Sequence, residues 1–263
     1  MFSENTFKDK VVIITGGGTG IGKELALELG KLGAKLVLAS RNPEHLESAK
    51  AELEKIAPVI TVPTNIKESA QVKNLMETCI KEFGKIDILV NNAGANFLCP
   101  AEKISDNGWH AVLEVVLTGT FYCMREAFPY MKEKNYGRII NLSSTTAWTG
   151  SPYMSHSGAA KAGLSNLTKT TAVEWARHGI TVNEVCPGPV YTDGSKAQLW
   201  QSEKIIETVK KGFPMGRFPE AKDVIGAVLF LASDYASCIT GASLAVDGGE
   251  SLRYNPDFNS LLP

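Results

Sequence analysis

VVIITGGGTGIG, residues 11–22, joins two kinds of chain through a cluster of glycines. Val11–Thr15 carries only apolar or β-branched side chains, the composition of a strand buried on both faces. From Lys23 to Leu32, Leu25, Leu29 and Leu32 recur at the spacing of one helical face. A glycine pattern alone would fit any tight turn, but one lying between a strand and a helix fits a dinucleotide-binding turn. Gly16 then permits the sharp turn, Gly20 the close approach of backbone to a pyrophosphate, and Gly22 the close packing of helix on strand. Thr19 and Ile21 share that turn. The first N–H groups of the helix, which have no partner inside it, face the phosphates.

The next strand, Leu36–Ser40, ends in Ser40-Arg41-Asn42. An enzyme that prefers NAD would place Asp or Glu here to hold the ribose 2′-hydroxyl. A guanidinium instead pairs bidentately with a 2′-phosphate. Ser40 and Arg41 therefore predict NADPH over NADH; the alternative is that Arg41 is an ordinary solvated loop residue.

The alternation continues to the end of the chain. Strands are predicted at Val59–Val62, Ile86–Val90, Arg138–Ser143, Ile180–Val185 and Ser243–Val246, each read as buried on both faces. Helical stretches include Pro43–Ile56 and Gln71–Phe83. Strand and helix in strict turn imply an α/β fold, a doubly wound parallel sheet of about seven strands of Rossmann type with helices on both faces. No linker, repeat or low-complexity run divides the chain, so residues 1–263 are expected to form a single NAD(P)-binding domain. Two insertions, Asn92–Asn107 and Pro187–Phe218, begin at carboxyl ends of strands, where such sheets bind ligands. They are expected to be the wall and the lid of a pocket.

Composition narrows the function classes. A net charge of −1 gives no electrostatic reason to bind nucleic acid or an anionic membrane. No apolar run approaches the ~20 residues that span a bilayer. The start MFSENTFKDK lacks the pattern of a signal peptide and the end NSLLP is not a peroxisomal address, so the cytoplasm is expected. The five cysteines are scattered singly, without C-x-x-C spacing, which disfavours a metal site.

TGxxxGxG, then NNAG (Asn91–Gly94), Ser144, Lys161 and PG (Pro187, Gly188) follow in order along the chain. This set resembles the short-chain dehydrogenase/reductases over nearly its whole length. The resemblance implies that Asn65 and Ile66 flank adenine and that Asn91, Asn92, Ala93 and Gly94 line the adenosine side. It implies further that Lys161 holds the nicotinamide ribose, and that Pro187, Gly188, Val190 and Thr192 meet the nicotinamide end. Long helices of the family usually build a homotetramer, here through Asp106–Lys134 and His156–Arg177.

The departures from the family pattern are informative. Its catalytic tetrad is Asn, Ser, Tyr and Lys, with Tyr four residues before Lys. Here Ser157 stands at the tyrosine position and Val116 at the asparagine position, while Ser144 and Lys161 are kept. Reduction of a ketone needs an acid for the developing alkoxide, and a serine hydroxyl is far weaker than a lysine-activated phenol. AGANFLCPAEKIS (93–105) and SHSGAAKAG (155–163) are similar to the 2,4-dienoyl-CoA reductases and peroxisomal trans-2-enoyl-CoA reductases. In the dienoyl reductases a serine occupies the position of Ser157, and an asparagine at the position of Asn96 binds the thioester oxygen. That chemistry places negative charge on oxygen while carbon accepts hydride, and it needs hydrogen-bond donors more than a phenol.

The resemblance thus implies Asn96 as oxyanion donor, Ser157 as second donor or positioning hydroxyl, and Ser144 and Lys161 as retained catalytic members. The acids used elsewhere in that branch would fall on Thr146, Val116 and Ser165, none of which is an acid. Tyr153, Tyr191, His156 or a water are left as candidate proton sources. Lys196, Lys204, Lys210, Lys211 and Arg217 could meet CoA phosphates or form a solvated face. Phe97 and Met154 would line an acyl tunnel. The expected substrate is an enoyl- or 2,4-dienoyl-CoA. The competing readings are a carbonyl or 3-oxoacyl reductase with an atypical acid, and a catalytically silent nucleotide-binding module.

Overall fold

A computed structural model describes residues 2–190 and 203–252, apart from the side chains at positions 204, 205 and 208. β1 (Val11–Thr15), β2 (Lys35–Ser40), β3 (Val59–Pro63), β4 (Ile88–Asn91), β5 (Gly137–Leu142), β6 (Ile180–Pro187) and β7 (Ser243–Val246) form one sheet. Every pairing is parallel, in the order β3-β2-β1-β4-β5-β6-β7. Chain direction through the sheet reverses between β1 and β4, which opens a crevice at their carboxyl ends.

Alternation within the strands supplies two cores. Val12, Ile14, Leu36, Leu38, Val90 and Ile140 face α1 (Gly20–Lys31), α2 (Pro43–Leu53) and a C-terminal helix at Ala221–Ala232. Val11, Ile13, Val37, Leu89 and Ile139 face the opposite layer, with α3 (Ser69–Phe83) and a helix at Thr120–Lys134. Period-two side-chain direction makes each interior strand feed both layers. In chain order the remaining helices are α4 (Asp106–Leu113), α5 (Thr120–Lys134), α6 (Ser155–Trp175), α7 (Glu203–Lys210) and α8 (Ala221–Ala232).

Four details differ from expectation. β4 starts at Ile88 rather than Ile86; Asp87 just before it still donates its N–H to the Val11 carbonyl at 3.0 Å, and its carboxylate accepts the Val11 N–H at 2.8 Å. β6 runs two residues past Val185 to Pro187, since its partner β7 continues the register to Pro187–Val246. β3 and β7 are the edge strands: Val59, Ile60 and Thr61 are only half-buried, and Ser243, Leu244 and Ala245 are exposed, rather than buried on both faces. Finally, a π-helical turn at Glu114–Gly119 separates α4 from α5 in the stretch read as one helix. Such turns insert one residue and re-aim the side chains beside them. Val116 lies within it and packs against Ala160 and Leu164 of α6.

α6 is pinned to the sheet by polar contacts along a single stripe. Asn91 Nδ2 donates to Asn141 Oδ1 at 2.8 Å, and Asn141 Nδ2 to Thr168 Oγ1 at 2.9 Å. Lys161, Ser165 and Thr168 fall at i, i+4 and i+7 on that helix, so the contact fixing Thr168 also fixes where Lys161 emerges.

Candidate active site

The glycine turn closes over the end of β1 and is tied to the turn after β4. Thr15 Oγ1 accepts from the backbone N–H groups of Asn92 and Ala93, at 3.1 and 3.0 Å. Asn92 Nδ2 in turn donates to the carbonyls of Thr15 and Gly16, at 3.0 and 3.2 Å. Gly22 sits beneath this knot: a Cβ there would lie 2.4 Å from the Gly16 carbonyl oxygen and 2.6 Å from Asn92 Nδ2. Gly20, at φ +51°, has nothing within 4 Å of the position a Cβ would take. One glycine is therefore needed for packing, and the other leaves open space in front of α1.

Beside the turn is a cavity of about 320 Å³ lined by Gly16, Thr19, Ser40, Arg41, Asn65, Ile66, Asn92, Ala93 and Gly94, with Ala39, Thr64 and Val115; Gly20 itself is not on its wall. Nine expected cofactor residues thus meet on one wall. Thr19 caps α1 with extended backbone but makes no side-chain hydrogen bond to it, and the first turn has no acidic residue. The leading N–H groups and the positive end of the helix dipole are left for an anion. Arg41 is exposed and has no hydrogen bond or ion pair to the described residues. Its neighbour Asn42 is spent on capping α2, accepting from Glu44 N at 2.9 Å. An anion-ready helix end, open space above Gly20 and a free guanidinium fit a phosphorylated dinucleotide.

The remaining expected residues are placed as follows. Ile21 is half-buried and Gly22 buried, both behind the cavity wall rather than on it. Asn91 lies under the wall, its amide committed to Asn141. Pro187 ends β6, and Gly188 N donates to Val246 O at 3.2 Å, so the turn toward Val190 leaves the same carboxyl edge of the sheet. Thr192 and Tyr191 lie outside the described residues, as does Lys196. Ala39, Thr64 and Val115 were missed; Thr64 follows β3 as Arg41 follows β2, and that shared position was the available signal.

Lys161 donates to the Leu142 carbonyl at 2.5 Å, at the end of β5. Burial pushes its ammonium down to about 8, against the opposing pull of Cys186 and Glu184. Ser157, one turn earlier on α6, is buried and has no hydrogen-bond partner among the described residues. Ser144 is half-buried beyond the end of β5, where its Oγ accepts from Thr146 N at 3.3 Å. No tyrosine hydroxyl among the described residues hydrogen-bonds Lys161; Tyr153 is 57% exposed.

Asn96 stands in the loop after β4, half-buried, with Oδ1 accepting from Phe97 N at 2.9 Å. This orientation leaves its NH2 as the available end. The Phe97 ring covers His156, with centroids 4.3 Å apart. His156 is fully buried, both ring nitrogens lack a partner, and burial lowers its pKa, which keeps the imidazole neutral. Arg217 pairs with Asp223 at 2.6 and 3.1 Å at the start of α8 and remains exposed. Among the described residues no group of His, Cys, Asp or Glu could hold a metal.

A doubly wound sheet with this turn at its reversal point, and with Lys161 and Ser144 beside it, defines a nicotinamide-dependent oxidoreductase. The chain belongs to the short-chain dehydrogenase/reductase family. A family model described as enoyl-(acyl carrier protein) reductase matches residues 16–251. A probable 2,4-dienoyl-CoA reductase [(2E)-enoyl-CoA-producing] of Bacillus subtilis (strain 168) is 39% identical over 94% of this chain and 98% of that protein. The peroxisomal 2,4-dienoyl-CoA reductase [(3E)-enoyl-CoA-producing] of Danio rerio is 34% identical over 100% of this chain and 88% of its own. A crystal structure of a short chain dehydrogenase from Bacillus anthracis str. 'Ames Ancestor' superposes with a TM-score of 0.86 at 41% identity, over 95% of this chain and 100% of that one.

Proposed function

We propose that the protein reduces a carbon–carbon double bond conjugated to a CoA thioester, on a 2,4-dienoyl- or 2-enoyl-CoA, with NADPH. The observation that carries this reading is the serine where a ketone reductase needs its phenol: Ser157 lies a turn before Lys161, whose hydrogen bond goes to the Leu142 carbonyl. The names of the two reductase relatives point the same way.

Gly16, Thr19, Gly20, Ile21 and Gly22 would hold the pyrophosphate; Ser40 and Arg41 the 2′-phosphate; Asn65, Ile66, Asn92, Ala93 and Gly94 the adenosine. Lys161 would hold the nicotinamide ribose, and Pro187, Gly188, Val190 and Thr192 the nicotinamide. When bound, the reduced nicotinamide supplies a hydride to a carbon of the conjugated chain. The electron pair of the double bond then moves onto the thioester oxygen. Asn96 Nδ2 donates to that oxygen, Ser157 assists it or positions the acyl chain, and Ser144 and Lys161 set the electrostatics around it. A proton then adds to carbon.

Residues 187–218 would act as the lid of this single domain, with Lys210 and Lys211 available to CoA phosphates. Assembly as a homotetramer through α5 and α6 would cover Phe121 and Val173, which are exposed at 40% and 81%. Light scattering of a micromolar solution checks this, and a monomer would contradict it.

The functional test follows NADPH oxidation with a 2,4-dienoyl-CoA, a trans-2-enoyl-CoA and a 3-oxoacyl-CoA. Turnover of the first or second is expected. Turnover of the 3-oxoacyl thioester alone would replace this reading with ketone reduction. Tight NADPH binding without turnover of any of the three would favour a silent module.

A further inference from the structure

We propose that Glu184 is a positioning residue for Lys161, a buried carboxylate whose charge keeps the lysine protonated where no tyrosine hydroxyl among the described residues meets it. Glu184 stands in the middle of β6, all eight residues of which are buried, and is itself 0% exposed. Among the described residues no cation comes within ion-pair distance of it. An isolated buried carboxylate is strongly disfavoured, so its retention needs compensation by hydrogen bonds and by a charge nearby.

The hydrogen bonds are supplied by two serines from two other elements. Ser165 Oγ, on α6, lies 2.7 and 2.9 Å from the two carboxylate oxygens, and Ser243 Oγ, on β7, lies 2.5 Å from one of them. These lengths lie in or near the range of hydroxyls donating to an ionised acceptor. Both hydroxyls end on the carboxylate, so neither passes charge or a proton onward.

The nearby charge is Lys161. Ser165 follows it by four residues on α6, which places the two side chains one turn apart on the sheet-facing stripe, about 5–6 Å between Cβ atoms. The acceptor of Lys161, Leu142, pairs with Val185 in the sheet, and Asn141 pairs with Glu184. The ammonium and the carboxylate therefore occupy adjacent rungs of the same β5–β6–α6 interface.

The other groups around this pair are neutral. β6 contributes Cys186, whose thiol burial pushes far up, reinforced by the Glu184 charge, so it stays protonated. Ser143 follows β5, and Val116 and Leu164 bring only apolar surface from the π turn and α6. Burial drives Lys161 toward its neutral form, and Cys186 and Glu184 oppose this; of the two, the carboxylic acid is far the stronger acid and is the one that carries the charge.

The proposal rests on Lys161 holding the nicotinamide ribose, and its test separates the two ideas. NADPH affinity is measured by nicotinamide fluorescence from pH 6 to 10 for the wild type, Glu184→Gln and Glu184→Asp. Wild-type affinity is expected to fall above about pH 8, as the ammonium is lost. Glu184→Gln should move that limb at least one pH unit toward acid while binding within about twofold of wild type at pH 6; Glu184→Asp, which keeps the charge, should restore it. A limb left in place by Glu184→Gln, or a loss equal at every pH, overturns the role of Glu184. A wild type with no alkaline limb overturns the role of Lys161 instead.

If Glu184→Gln folds poorly, urea midpoints of Glu184→Gln, Lys161→Met and the double variant decide the question. Two mutually compensating charges make the double variant more stable than the sum of the single losses. Additive losses, or a double variant that also fails to fold, overturn the proposal.

Discussion

Replacing Asn96 with alanine removes the donor assigned to the thioester oxygen, and the structure sets what should follow. Its Oδ1 is held by Phe97 N at 2.9 Å, so the amide NH2 is fixed outward before substrate arrives. Deleting one preorganised oxyanion donor typically raises the barrier by about 2.7–4 kcal/mol, or roughly 10²–10³ in rate. The lost turn contact is a second, smaller effect of about 1 kcal/mol on loop stability. Asn96 does not line the cavity that receives the dinucleotide, so NADPH affinity should change less than about threefold. Single-turnover rates with a 2,4-dienoyl-CoA at saturating NADPH measure the first quantity, and a fluorescence titration of NADPH the second. Asn96→Asp is the discriminating variant. It keeps an oxygen to accept from Phe97 N but turns the outward donor into an anion facing a developing oxyanion. It should therefore be at least as slow as Asn96→Ala. Recovery of rate by aspartate, or equal losses in rate and NADPH affinity in the alanine variant, would refute the oxyanion role.

Two further outcomes are expected. Arg41→Ala should lower the ratio of kcat/KM for NADPH over NADH by roughly 10- to 100-fold, the loss of a charge-assisted pair worth about 1.5–3 kcal/mol; an unchanged ratio would return Arg41 to the status of a solvated loop residue. Activity should also fall on the alkaline side: Lys161 is charged below about pH 8 and loses its proton as pH rises through that value, so kcat/KM should decline above it by up to about tenfold per unit. A profile flat to pH 9.5 would contradict a charged Lys161 in the reaction.

The parts of the fold that were legible share one cause. β1, its glycines and α1 are contiguous, and each segment states its own period or its own turn chemistry, so the strand, the turn and the helix start could be read together. Arg41 was readable from its place at the end of a strand, where such a sheet binds ligands, and the Asn92–Gly94 turn from the family resemblance of the NNAG motif. The π turn was not legible, since one inserted residue between α4 and α5 leaves the apolar spacing nearly unchanged. The exposure of β7 escaped because a four-residue apolar strand looks alike at the edge and in the middle of a sheet. Glu184 gave a faint signal as a charge inside the strand Ile180–Pro187, but its partners Ser165 and Ser243 are 19 and 59 residues away and ordinary in their own segments. Only the packing of α6 and β7 on β6 brings those three together. His156 is a similar case: nothing in SHSGAAKAG foretells an imidazole sealed under Phe97.

With no tyrosine hydroxyl among the described residues hydrogen-bonded to Lys161, the site should deliver hydride to a chain carbon and leave the thioester carbonyl intact. The most direct measurement is one turnover with NADPH deuterated at the transferred position and a 2,4-dienoyl-CoA, followed by mass and NMR analysis of the acyl product. The account predicts one deuterium on an sp³ carbon of a product that has lost one double bond and gained no hydroxyl. Label appearing only on a carbinol carbon, from an oxoacyl substrate and with the dienoyl chain untouched, would contradict it.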